Sequence, residues 1–362
     1  CASIPGSIYR AYTMQLPIPS DELKRHSLKL TDQIHQLISE CGGWISFAQF
    51  MHMALYQPGL GYYVSGLRKF GAGGDFVTAP EISQLFSRCL AQHCIEAFAT
   101  IDQPSILEFG AGSGVMAVDI LLFLEEKNSL PEQYLILEIS PDLQQRQKEL
   151  LQERCPHLLE KVQWLNALPK DFCGVVLANE VLDAMPVHLF ENTDSGMRER
   201  GVVSDGEGFS WGLRDWMKPA LDVELAAGYQ SEINLALKPW LADLSQAIEK
   251  AVVVLIDYGF TQGEYYHPQR HMGTLMCHYR HLAHPDPLVL VGLQDITAHV
   301  DFTAVENAAV DCGFEVSGFM TQAEYLMGMG LLEQAKALDA VAQYEQAQAM
   351  KTLLMPGEMG EL

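Results

Sequence analysis

The residues Glu108-Phe109-Gly110-Ala111-Gly112-Ser113-Gly114 could do chemistry together: three glycines at alternate positions follow a carboxylate, directly after the apolar run Ser105-Ile106-Leu107. Glycines allow a tight turn from strand to helix and let a ligand approach the main chain, while amides of the next helix, expected over Val115 to Lys127, point into the gap. The loop reads as a nucleotide-type cofactor site. Its glycines run G-x-G-x-G rather than the G-x-G-x-x-G of dinucleotide sites, and Glu108 would repel a pyrophosphate. It suits S-adenosyl-L-methionine, which carries an ammonium and a sulfonium and no phosphate. Gly110, Gly112 and Gly114 are therefore expected to bind that cofactor, whose product is S-adenosyl-L-homocysteine. Glu108 would hold its cationic end directly or through water.

Further polar residues stand at comparable places. Glu138 ends the run Tyr134-Leu135-Ile136-Leu137, 24 residues past Gly114, where a strand-tip carboxylate accepts ribose hydroxyls. Asn166 and Ala167, after Lys161-Val162-Gln163-Trp164, stand where an adenine would lie, and Asn179 is counted with the cofactor side. Glu180 and Asp183 are three apart and share a face if their segment is helical. Methyl transfer needs a lone pair held about 3 Å from the methyl group, and a guanidinium keeps its proton tightly. Paired carboxylates can orient such a group, localise its charge and accept the proton late. A plain capping pair, with Asn179 as the cap, is the other reading. Asp257 would complete the acidic ring as a third catalytic candidate, and Tyr258 would wall the acceptor pocket.

These residues need elements to position them. Five apolar runs end at Glu108, Glu138, Asn166, Glu180 and Asp257, and amphipathic stretches alternate with them. That pattern predicts an α/β fold: a Rossmann-like parallel sheet with helices on both faces and ligands beyond the carboxyl ends of its strands. Ser140-Pro141-Asp142 opens one helix, with Ser140 as N-cap. His26 to Cys41 and Phe47 to Leu55 predict a helical N-terminal segment, interrupted by turn chemistry over Tyr56 to Tyr63. Gly71 to Asp75 must be a loop, and Thr78-Ala79-Pro80-Glu81 a capped helix start, with Glu81 serving the helix dipole in the plain reading. About 70 residues separate the fourth and fifth runs, more than a crossover helix needs. Val187 to Glu191, Arg198 to Val203 and Phe209 to Leu213 predict a small antiparallel insertion on the substrate side. Pro219 to Lys250 is expected to return as helix, carrying Tyr229, Glu232 and Trp240. Asp301 would cap a helix over Thr303 to Cys312. Gly313 to Val316 reads as a strand, and Thr321 to Met355 as mostly helical. The expected divisions are a lead-in over 1–20, an N-terminal region over 21–100, a cofactor core over 101–186, an insertion over 187–250, and the rest of the core with C-terminal helices over 251–362.

Four strings then point to a family. Gly74-Asp75-Phe76-Val77-Thr78-Ala79-Pro80-Glu81-Ile82-Ser83, Asn179-Glu180-Val181-Leu182-Asp183-Ala184-Met185-Pro186-Val187, Asp257-Tyr258-Gly259 and Asp295-Ile296-Thr297-Ala298-His299-Val300-Asp301-Phe302 resemble the MidA-like family over roughly residues 25 to 362. That resemblance implies a class I S-adenosyl-L-methionine-dependent methyltransferase. Mitochondrial members of the family are complex I assembly factors that methylate a protein arginine, and many bacterial members have no assigned substrate. It implies that Thr78, Pro80 and Glu81 cover the methionine end of the cofactor. It also implies that the loop with Gly273-Thr274-Leu275 and His281 packs on the active site, so that His281 meets substrate. For Asp295 to Phe302 it implies a structural role beside the pocket. The family pattern continues into one more strand past Met359-Gly360-Glu361-Leu362, which this chain does not reach. A small-molecule methyltransferase, and an assembly chaperone that binds the cofactor without turnover, stand as alternatives; a dehydrogenase is opposed by Glu108 and the glycine spacing.

Composition narrows the partners. A net charge of -23 over 362 residues argues against nucleic acid and anionic membrane surfaces. No apolar run reaches membrane-spanning length. Eight cysteines without a paired framework fit a cytoplasmic protein, and Cys1 in place of a starting Met reads as a processed or expression remnant. His267, His271, Cys277, His278, His281 and His284 crowd into 18 positions, which on spacing alone suggests a transition metal, yet prolines break the segment and no pair has a firm zinc-ligand context, so no metal is expected. Apolar helices such as Leu331 to Tyr344 would permit a homodimer.

Overall fold

The structure is a computed structural model that describes residues 16–66, 78–216, 221, 223–335 and 340–355. The expected loop Gly71 to Asp75, the lead-in through residue 15 and the terminal Met359 to Leu362 lie outside the described residues.

All five apolar runs become strands: β1 (Ser105–Phe109), β2 (Tyr134–Leu137), β3 (Val162–Leu165), β4 (Phe172–Asn179) and β5 (Ile248–Ile256). They form one parallel sheet in the order β5-β4-β1-β2-β3. The order reverses direction between β4 and β1, which opens a crevice at their carboxyl ends. Alternate residues serve opposite faces. Ile106, Ile136, Val175 and Leu177 pack with Cys89, Leu90 and Cys94 of α3 (Gln84–Phe98) and with Met116 and Ile120 of α4 (Val115–Glu126). Leu107, Val176 and Ala178 pack with Leu237, Leu241 and Leu244 of α6 (Leu237–Ala247) and with Val305 and Ala308 of α7 (Phe302–Asp311). Between them in the chain, α5 (Pro141–Arg154) starts at Ser140, whose side chain accepts from the Leu143 amide. Burying one such aliphatic side chain contributes roughly 1.5–3 kcal/mol, so this two-faced core anchors the strand tips that carry the site.

The N-terminal helices are α1 (Asp21–Glu40) and α2 (Phe47–Tyr56). Leu30, Ile34 and Ile38 form the buried stripe of α1, and a capping box between Ser46 and Gln49 begins α2. Strands His188–Thr193, Gly196–Asp205, Gly208–Asp215 and Tyr229–Ile233 build an antiparallel sheet, which Ile45–Ser46 joins opposite Val202. A smaller antiparallel sheet holds β6 (Met276–Tyr279) between β7 (Leu282–His284) and β8 (Asp295–Thr297). One apolar cluster joins the three: Ile34, Phe47 and Phe50 meet Leu189 and Val202 of the inserted sheet, with Cys277 and Ile296 of the small one. The cluster hangs α2 over the carboxyl edge of the parallel sheet.

Two expected elements differ. Tyr229–Ile233 is a strand, not helix, because it pairs with the edge of His188–Thr193, Glu232 opposite Leu189. Gly313 to Val316 is not a strand: it runs unpaired, with Glu315 and Val316 exposed. Asp301 caps α7 by accepting from the Ala304 amide.

Candidate active site

Gly110, Gly112 and Gly114 adopt φ +60°, +53° and +85°, left-handed values that strain any residue with a β-carbon, and Gly114 leads directly into α4. Behind the loop, Glu108 is buried and its Oε2 accepts from the Tyr134 hydroxyl at 2.7 Å. Burial pushes its carboxyl up to about 7, against the pull of that hydrogen bond, and the charge of Glu138 adds to the rise. A cation arriving beside it would draw out the ionised form. At the tip of β2, Glu138 accepts from the Ser140 amide (2.8 Å) and from Gln147 Nε2 (3.2 Å), one oxygen each. A carboxylate at a strand tip is the kind of group that accepts from the two hydroxyls of a ribose. Gln147 also donates to the Gly112 carbonyl and accepts from Trp164 Nε1, so α5 ties loop, β2 and β3 into one unit.

The acceptor side is built across the sequence. After β4 the chain turns at Glu180, a non-glycine residue with φ +51°, and the next three amides converge on one atom. Val181, Leu182 and Asp183 donate to Asp257 Oδ2 at 3.1, 2.8 and 3.2 Å, while Oδ1 accepts from the Tyr258 amide at 2.9 Å. The segment is a turn, not the helix that would put Glu180 and Asp183 on one face, and its cap is Asp257, not Asn179. Both carboxyls still enter the same space. Tyr258 donates to Glu180 Oε2 (3.1 Å) and Asn179 Nδ2 to Oε1 (3.4 Å). Burial, then the charge of Asp257, raises Glu180 to about 8. Asp183 lies well above the usual carboxylate range, first from burial, then from the charges of Asp257, Asp295 and Glu180. On the facing wall, the Tyr56 hydroxyl donates to the Ala184 carbonyl (2.8 Å) and the Tyr63 hydroxyl to Asp295 Oδ1 (2.7 Å). The two rings stack with centroids 5.6 Å apart.

One cavity of about 1160 Å³ runs from the glycine loop to this cluster. It exceeds the roughly 300–1,000 Å³ usual for a pocket that holds one small molecule, leaving room for a cofactor and an acceptor side chain. Glu108, Glu138, Glu180, Asp183 and Asp295 all line it, and none of its described lining residues is Lys or Arg. The charge of these carboxyls opposes a phosphate and favours a sulfonium or a guanidinium. The residues therefore fit S-adenosyl-L-methionine, with Glu108 beside the charged end and Glu138 at the ribose.

Of the residues expected from sequence, Thr78, Pro80, Gly110, Gly112, Asn179 and Tyr258 also line the cavity. Six do not. Gly114 packs behind it, where a β-carbon would lie 3.1 Å from Gln147 Cγ. Glu81 is half-buried outside the lining, and Asn166 and Ala167 are exposed on the bend past β3. Asp257 is fully buried and holds the turn instead of facing the cavity. His281 is exposed in the turn between β6 and β7, with φ +61°, and His278 of β6 lines the cavity in its place. Among the described residues no group of three or more His, Cys, Asp or Glu could hold a metal ion. Sequence reasoning missed Tyr56, Tyr63 and His299, and gave Asp295 only a structural part. Tyr56 and Tyr63 stood in a string read for its turns. Trp240 both lines the cavity and meets Phe109 edge-on at 5.2 Å.

Comparison with known proteins bears directly on this geometry. A family model described as "Putative S-adenosyl-L-methionine-dependent methyltransferase" matches residues 89–320. Protein arginine methyltransferase NDUFAF7, mitochondrial, of Danio rerio is 30% identical over 361 residues, covering 88% of this chain and 82% of the relative. Its Homo sapiens counterpart is 28% identical, covering 88% and 78%. A crystal structure of a superfamily member from Burkholderia thailandensis, bound to S-adenosyl-homocysteine, superposes with a TM-score of 0.91 at 40% identity, covering 96% of this chain and 93% of that one.

Proposed function

We propose that a protein arginine is the methyl acceptor of this chain, which belongs to the MidA-like family of S-adenosyl-L-methionine-dependent methyltransferases. The observation that carries the proposal is the group of half-buried Glu180 with buried Asp183 and Asp295 at the end of the cavity, walled by Tyr56, Tyr63 and Tyr258 and without a Lys or Arg in the described lining. Uncompensated buried carboxyls are costly, and a planar cation with several N–H donors satisfies them. Glu180 and Asp183 would take the two edges of the guanidinium, localising its charge away from the reacting nitrogen. Tyr258, bound to Glu180, keeps one oxygen in place, and the tyrosine walls exclude water. When bound, the cofactor supplies an electrophilic methyl group on sulfur. Much of the acceleration would come from orientation, which brings the acceptor nitrogen in line with the methyl–sulfur bond.

The names of the mitochondrial relatives support a protein acceptor, and the resemblance to the family suggests a subunit of respiratory complex I, met in the cytoplasm. The experiment is to incubate the purified chain with methyl-labelled cofactor, arginine-bearing peptides and free guanidines, then to identify the methylated residue after hydrolysis. Methylarginine from peptides is the expected result. Label confined to free small molecules would overturn the protein acceptor, and cofactor binding without any label would leave a non-catalytic assembly role.

A further inference from the structure

A cationic acceptor poses a proton problem. Guanidinium and sulfonium each bring one positive charge, while the methylated guanidinium leaves with one and the thioether with none. As the acceptor nitrogen forms its bond to the methyl carbon, the carbon–sulfur bond breaks with its electron pair going to sulfur, and one N–H proton must pass to a base. Glu180 and Asp183 are poor final holders of it. The product is still a cation, and they must be ionised to balance its charge.

His299 stands beside them, just past β8. Its ring lines the cavity, stacks on Tyr258 (centroids 6.5 Å, planes 25° apart) and leans on Phe260 (5.2 Å). Tyr258 is the residue whose hydroxyl donates to Glu180. The His299 amide donates to Thr274 Oγ1 at 2.9 Å, and the Thr274 and Leu275 amides donate to buried Glu232 at 2.6 and 2.7 Å. The root of the ring is thus fixed. Its Nδ1 is enclosed and has no hydrogen-bond partner among the described residues, an arrangement that about nine in ten buried polar atoms avoid. The ring therefore keeps a nitrogen without a hydrogen-bond partner among the described residues, on a side chain that lines the cavity and stacks on Tyr258.

We propose that His299 is the base that receives the acceptor's proton during methyl transfer; the inference rests on the arginine reading above. The titratable and charged groups around it are Tyr258, Glu180 behind that hydroxyl, and Arg270, whose guanidinium lies 3.7 Å from the Phe260 ring centroid. Asp301, two residues on, is occupied with the amides it caps. Burial, then the charge of Arg270, holds the His299 ring below the usual histidine range. That shift favours the neutral ring, the form that can accept a proton.

The test compares wild type with His299→Gln, scoring methylarginine on a peptide and S-adenosyl-L-homocysteine binding by calorimetry. The variant should bind product and peptide within about threefold of wild type while its kcat falls roughly 100-fold or more. Added imidazole should restore activity to His299→Ala and leave wild type unchanged. A variant kcat within about threefold of an active wild type overturns the role of His299 alone. A wild type that methylates no arginine overturns the arginine reading and this inference with it. If the glutamine variant does not bind product, the alanine variant decides: rescue supports the base, and no rescue overturns it.

Discussion

The two halves of the cavity are assembled in different ways. The cofactor half comes from one run of chain, β1 through α5, and neighbours in sequence hold each other: Tyr134 on Glu108, Ser140 and Gln147 on Glu138. The acceptor half is gathered from segments more than 200 residues apart, with Tyr63 on Asp295 and Asp257 clamping the turn after β4. A site made from one supersecondary unit can be recognised in sequence and is supported locally. A site made from many depends on the whole fold and tolerates strain, as the left-handed Glu180 and the crowded carboxyls illustrate.

The sharpest way to break this contrast is at the glycine loop. Gly112→Val puts a branched side chain at φ +53° on the cavity wall, and should weaken cofactor binding by roughly 100-fold or more while leaving the distant acceptor wall intact. Calorimetric affinity for S-adenosyl-L-homocysteine within a few-fold of wild type would remove the loop from the site. Glu180→Gln is the converse. It should spare cofactor affinity and cut kcat by about 100-fold, since one edge of the guanidinium loses its charged partner. Equal losses in both measurements would mean that the halves are one unit.

What the sequence made legible follows the same division. The five strand runs, the glycine turn, the Ser140 cap and Glu138 were readable because strand period, turn chemistry and capping are local rules. Asp257 was visible as an acidic strand end, but nothing local says that its carboxylate turns back to collect three amides from a segment 74 residues earlier in the chain. His281 was singled out by the family resemblance, and hairpin geometry carried it to the outside. Tyr56 and Tyr63 become cavity walls only because the apolar cluster of α1, α2 and the inserted sheet hangs them there. The failed strand at Gly313 to Val316 shows the same limit: a short apolar run needs a neighbour, and a neighbour is not a property of the run.

Asp257 and Asp183 separate support from function inside the acceptor half. Asp257→Asn replaces a four-fold acceptor with a group that must point a donor at amides, leaving buried N–H groups unpaired, and should cost about 3 kcal/mol in denaturant unfolding. Asp183→Asn removes a carboxyl whose ionised form burial and three neighbouring carboxyls disfavour, so it should lose turnover without losing stability at neutral pH. If both variants were destabilised alike, Asp183 would be structural too.

The smallest effect is a slope. Glu180 is raised from its usual 4.5 to about 8 in the folded chain, so between those values the native state binds more protons than the unfolded one. Stability must then fall as pH rises through that window and level off above it, which is opposite in sign to a carboxylate held by a salt bridge. Glu108, raised to about 7, adds to the same slope from the cofactor half. The two halves can be told apart by ligand. Cofactor, arriving as a cation beside Glu108, should flatten the part of the slope below about pH 7 and leave the part that belongs to Glu180. Melting temperatures from pH 5 to pH 8.5, with and without S-adenosyl-L-methionine, measure this. In Glu180→Gln the upper part should shrink, Asp183 and Asp257 supplying what remains of it, and the lower part should persist. A slope that survives unchanged in that variant would mean that Glu180 is already ionised in the free protein, and the acceptor half would then hold its charge ready before any cation arrives.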